Sequence, residues 1–182
     1  MEKSNADIFI SQFNETIDKW IDYLDSYTIE TLYQRPAAGE WSLGQVYVHI
    51  IEDTQFYIEQ GKAALLTENN SDRGMNKNGR AIFENNAFPD MQLTNPFNSL
   101  DLRQPENKVE LLQGLTTLKS EVNELYATVD FATSSGKTEH PGFQYFSALE
   151  WLCFAEMHMR HHLRQKKRID DELFPSLSEI PT

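Results

Sequence analysis

The chain of 182 residues has one cysteine, Cys153, so no internal disulfide can form and nothing in cysteine usage points to an oxidising compartment. It has no apolar run near the roughly 20 residues needed to span a bilayer. Its first residues, Met-Glu-Lys-Ser-Asn-Ala-Asp, lack the basic and then apolar pattern of a secretion signal, and a cytoplasmic protein is expected. Positive charge is scarce: 16 Lys and Arg stand against 28 Asp and Glu, a net charge of −12. A surface of that sign repels phosphate backbones and anionic lipid, so neither nucleic acid nor membrane is expected as a partner. No internal repeat and no strand-like alternation is visible, and strand content is expected to be negligible.

What the chain does have is helical periodicity. Phe13, Ile17, Trp20, Ile21, Leu24 and Tyr27 recur at three- and four-residue steps and predict a helix from about Asp7 to Tyr27. Ser42 and Gln45 read as a capping box opening a second helix that runs to about Leu66. Leu111, Leu115, Leu118, Val122 and Leu125 mark a third, with Pro105 as its first residue and its end near Asp130. A fourth is expected from Phe146 to Arg168, with the basic residues Arg160, Arg164, Lys166, Lys167 and Arg168 in its last turns, where the helix dipole favours cations. The expected fold class is therefore all-α: a single domain, a four-helix bundle with its core at about 7–168 and a tail from 172. Thr67 to Gln104 shows no sustained period and is too long for a simple turn. It reads as a long crossover between the second and third helices, with Phe83, Phe88 and Phe97 packing it over one end of the bundle.

The chemistry concentrates in the fourth helix. His158 and His162 are four residues apart, about 400° of helical rotation, so they share one face, and Trp151, Phe154 and Ala155 point the same way. Two imidazoles so placed can share a metal ion, and they can equally be ordinary polar residues near a helix end. His49 lies two turns into the second helix at the border of its apolar stripe, where a boundary histidine bonded to a neighbouring helix is the plainer reading. Cys153 lies well off the His158 face and reads as a small core residue rather than a catalytic thiol.

Three segments together resemble the DinB/YfiT-like superfamily of metal-dependent enzymes. They are Trp41-Ser42-Leu43-Gly44-Gln45-Val46 with His49, then His140-Pro141-Gly142-Phe143, then Glu150-Trp151 followed by His158-x-x-His161-His162-Leu-Arg-Gln165. The resemblance implies a four-helix bundle and a metal held by His49, His158 and His162. His161 ranks as the rival to His162, and His140 stands as a further alternate that faces the site or caps the last helix. Three neutral imidazoles leave open positions on a divalent ion. Zinc and nickel both accept imidazole and are the expected ions, with iron and manganese also open. Such an ion favours a bound hydroxide or thiolate. Asp53, Glu52, Gln45 and Gln165 are candidate hydrogen-bond partners of the histidines. Glu52 and Asp53 are also the candidate general bases, with Glu150 and Glu156 behind them. Characterised members of the superfamily include thiol transferases and a thiol-dependent isomerase. The resemblance thus implies a small-molecule substrate and a low-molecular-weight thiol, and a homodimer is left open. Hydrolysis, metal binding without catalysis and a plain structural bundle remain as other readings.

Overall fold

A computed structural model describes residues 5–89 and 102–175. Four long helices build it: α1 (Asn5–Leu24), α3 (Leu43–Leu65), α5 (Lys108–Thr128) and α6 (Ala148–Leu173). Two short helices, α2 (Ile29–Leu32) and α4 (Lys77–Glu84), and a hairpin of β1 (Lys137–His140) and β2 (Gln144–Ser147) complete the described residues. Each long helix packs on two others: α3 on α6 and α5, and α1 on α5 and α6, with the α3–α6 interface the largest. The fold class is all-α, as the periodicity predicted, with one small hairpin as the exception.

The predicted stripes form the main core. Phe13, Ile17, Trp20 and Leu24 of α1 meet Val46, Tyr47 and Ile50 of α3, Leu111, Leu115, Leu118 and Val122 of α5, and Leu152 and Met159 of α6. Each large apolar side chain taken out of water there contributes about 1.5–3 kcal/mol. Two hydrogen bonds satisfy polar atoms within this core. Trp20 Nε1–H donates to Met159 O at 3.2 Å and Tyr47 Oη–H donates to Trp20 O at 2.9 Å.

Several boundaries differ from the periodicity, each for a local reason. α1 stops at Leu24, and Thr28 then caps the separate turn α2 through a capping box. α5 begins at Lys108 because Asn107, not Pro105, accepts from the backbone N–H of Glu110. α6 runs on to Leu173, so its basic residues lie inside the helix rather than at its end. There they pair with acids one turn away: Arg160 with Glu156, Lys166 with Asp170 and Lys167 with Asp171. The expectation of negligible strand content fails over residues 137–147. Strands of four residues are too short to show an alternation, and the register Lys137↔Ser147 to His140↔Gln144 is set by tertiary contacts. Trp151 Nε1–H donates to Thr138 Oγ1 at 2.7 Å. Gly136 lies so close to the end of α3 that a Cβ there would fall 1.9 Å from Thr67 O.

The crossover also holds more structure than its sequence showed. Asn76 caps α4. Ile82 and Phe88 join Tyr57, Phe146, Trp151 and Phe154 in a second apolar cluster, against which Phe83 packs. Phe97 and the rest of residues 90–101 lie outside the described residues.

Candidate metal centre

Two caps place the histidines. The Ser42–Gln45 capping box fixes the start of α3 and sets His49 two turns in, against the ring of Trp41 at 5.0 Å. The Ser147–Glu150 capping box does the same for α6, which carries His158 and His162 on the turns facing α3. The broad α3–α6 interface brings the two helices together at this level. The ring of His49 lies 5.0 Å from that of His158 and 4.7 Å from that of His162. One nitrogen from each of the three histidines lies within 4.8 Å of the others. All three side chains are buried.

Hydrogen bonds decide where the lone pairs point. His162 Nδ1–H donates to Gln165 Oε1 at 2.7 Å, which leaves the lone pair on Nε2. That nitrogen faces His158 Nε2 at 3.1 Å. His158 Nδ1 is buried with no hydrogen-bond partner, so Nε2 provides all of this ring's polar contacts. Asp53, one turn after His49, sets one carboxylate oxygen 3.5 Å from His49 Nδ1 and the other 3.7 Å from His158 Nε2. Tyr57, a further turn on, donates its Oη–H to Asp53 Oδ2 at 3.3 Å.

The donor set fits a divalent cation. Metal–nitrogen bonds of 2.0–2.1 Å at near-tetrahedral angles put donor nitrogens about 3.4 Å apart. The His158–His162 pair, at 3.1 Å, stands close to that spacing, and the third nitrogen, within 4.8 Å of both, needs a shift of about 1.4 Å at most to join it. The imidazoles are also in the right protonation state. Burial pushes His49 down to about 4. Burial, then the neighbouring His49, pushes His162 down to about 3. Burial, then His162 and His49, holds His158 well below its ordinary value. None carries a proton at neutral pH that a cation would have to displace. Asp53 moves the other way: burial raises it to about 6, the Tyr57 bond opposes this, and Glu52 adds to it.

Asp53 and Gln165 lie at the histidines, as their helical register suggested. Glu52 does not. It turns outward and pairs with Arg103 at 3.1 Å, half exposed. Gln45 is spent on the α3 cap and on Leu102 O. Glu150 is spent on the α6 cap. Glu156 is buried and holds Arg160 and the Thr16 hydroxyl. His161 sits on the flank, 5.3 Å from Phe88 and bonded to Arg164. His140 is outside the convergent set: its Nδ1 accepts from Gly142 N–H at 3.0 Å, and its ring stacks on Trp151 at 5.1 Å. Burial pushes the Cys153 thiol up to about 12, which suits a packing role and not a nucleophile. Tyr57 was not among the expected site residues. Its spacing of four from Asp53 and eight from His49 was the available sign of its role there.

Fold and site together define an all-α protein with a three-histidine centre suited to a divalent metal. The chain belongs to the DinB superfamily, whose family model matches residues 12–165. No curated protein and no solved structure matches it. Among the described residues no helix is long and apolar enough to cross a membrane.

Proposed function

We propose that this chain is a metal-dependent enzyme that transfers a small thiol to an electrophilic small molecule. The observation that carries this reading is the convergence of His49, His158 and His162, as neutral donors, beside one partly exposed carboxylate, Asp53. Three protein nitrogens leave positions open, the mark of catalytic rather than structural sites. The ion, zinc or nickel by affinity for imidazole, would supply positive charge that favours a thiolate near neutral pH.

The chain's own residues supply the rest. Gln165 fixes the tautomer of His162 through the 2.7 Å bond to Nδ1. Trp41 and Tyr57 pack on the histidine rings and keep water from their apolar edges. Asp53 is the group that takes the S–H proton. It is about one-third exposed and passes the proton to solvent. Tyr57 holds its carboxylate by donating to Oδ2. The sulfur then forms its bond to carbon while the leaving group departs with its electron pair. Glu52, paired outward with Arg103, takes no part.

The test begins with the metal content of untagged protein. Metal-loaded and metal-free protein are then offered small thiols with a haloaromatic or an epoxide. A rate that needs the metal and is lost in His158→Ala supports the reading. Hydrolysis of an ester or amide without thiol transfer replaces it with a hydrolase. Stable metal uptake with neither activity makes the protein a metal-binding module.

A further inference from the structure

The segment that leads out of α4 is fastened to the helix that carries the histidine pair. Arg160 donates through Nη1 to Asn86 O at 2.8 Å and through Nη2 to Asn86 Oδ1 at 3.1 Å. Arg160 is itself held by Glu156, through Nε at 2.8 Å and Nη2 at 2.9 Å, and Glu156 also accepts from Thr16 Oγ1–H at 2.7 Å. Arg164, one turn along α6, donates to Phe88 O at 3.0 Å. Asn86 takes a left-handed backbone, φ 47°, so the chain turns sharply there before Phe88.

The result is a buried ring set against the site. Phe88 is 6% exposed. Its ring lies 6.1 Å from that of His158, 5.3 Å from His161 and 5.1 Å from Phe154. Trp41 stands against His49 at 5.0 Å and Tyr57 against His158 at 5.5 Å. Three aromatic rings thus flank the histidines, and the Asp53 side chain beside them is 34% exposed.

We propose that Phe88, pinned by Arg160 and Arg164, is a specificity-determining residue that restricts the histidine centre to unbranched primary thiols. The inference rests on the thiol-transfer reading and names its ligand class. A sulfur on a slim –CH2– stem passes between the rings. A sulfur on a quaternary carbon would bring three methyl groups to the same depth, against the Phe88 ring 6.1 Å from that of His158 and the Tyr57 ring 5.5 Å from it. Exclusion of this kind acts by a clash with the wrong ligand rather than by a contact with the right one.

The test uses cobalt(II)-loaded full-length protein and reads the sulfur-to-cobalt charge-transfer band, with 2-mercaptoethanol and tert-butyl thiol as probes. The wild type is expected to bind 2-mercaptoethanol at least about tenfold more tightly. Phe88→Ala should bring the two within about threefold of each other. Arg164→Gln keeps the ring but frees its backbone, and should move the ratio the same way by less. Ile82→Ala removes packing from the same apolar cluster, 5% exposed, and should leave the ratio unchanged. Equal binding of both thiols by the wild type overturns the proposal. So does an unchanged ratio in Phe88→Ala, or a ratio shifted equally by Ile82→Ala. A wild type that takes up no cobalt, or shows no band with any thiol, instead overturns the thiol-transfer reading itself.

Discussion

The metal-free protein should lose stability as pH falls from about 6.5 toward 4, and the buried histidines should cause much of that loss. Unfolded imidazoles titrate near 6.5, whereas burial holds His49 at about 4 and His162 at about 3. A histidine with a depressed folded value binds its proton more readily in the unfolded chain. Its stabilising effect is therefore complete above 6.5 and drains away as pH falls toward the folded value. At about pH 5 each of the two is protonated when unfolded and neutral when folded, a cost of about 2 kcal/mol apiece. Asp53 opposes them. Its folded value, raised to about 6, makes the folded chain the better proton acceptor below that pH. That returns about 1 kcal/mol at most, since the carboxylate is partly exposed and screened. The net loss from these three groups between about pH 7.5 and 5 is then about 3 kcal/mol, a large share of a typical domain's stability. Urea unfolding of chelator-treated protein at several pH values measures it. His162→Gln should flatten the curve by about 2 kcal/mol over that range, which isolates this histidine from the rest of the acid response. Zinc should protect the wild type, because imidazoles bound to a cation resist protonation until the ion leaves. A wild-type curve no steeper than that of His162→Gln would refute the reasoning.

Other predictions concern the metal and the Arg160–Glu156 ion pair, in which the carboxylate is the buried partner. His162→Ala should abolish tight metal binding, whereas His161→Ala should leave most of it, as competition against a metal indicator dye would show; the reverse order contradicts the site. Gln165→Leu removes the acceptor for His162 Nδ1–H and should weaken metal binding by about 10- to 100-fold with the fold intact by circular dichroism. Unchanged affinity would mean that this bond does not orient the ring. Arg160→Ala leaves the Glu156 carboxylate buried with only the Thr16 hydroxyl, and should cost about 3 kcal/mol in urea unfolding. Glu156→Gln in the same background should recover part of that loss, and no recovery would show that the charge is not the cause.

The sequence by itself determined the helices and the candidate ligands. Periodic apolar residues such as Phe13, Ile17 and Trp20, or Leu111, Leu115 and Leu118, leave one stripe that must be buried, and no other local structure offers that face. Ser42 with Gln45 marked the start of α3 because capping is a local bond between residues three apart. The spacing of His158 and His162 put both on one face for the same geometric reason. His49, more than a hundred residues away, could be joined to them only by family resemblance.

The rest depended on contacts between distant residues. Which acids lie beside the histidines follows from how α3 sits on α6: Asp53 faces them, while its neighbour Glu52 turns to Arg103. The hairpin at 137–147 has no signal in four-residue strands and follows from Gly136 against α3 and Thr138 against Trp151. The full length of α6 was hidden because its basic run looked like a helix end, when acids one turn on pair with Lys166 and Lys167. Phe88 read as one of three phenylalanines packing the crossover over one end of the bundle. Its place beside His158 follows from two arginines on α6 reaching more than seventy residues back along the chain. Local periodicity and capping are properties of a few neighbouring residues, so the sequence displays them directly. A site shared by two helices and a crossover depends on packing between distant elements, and only the tertiary structure decides it.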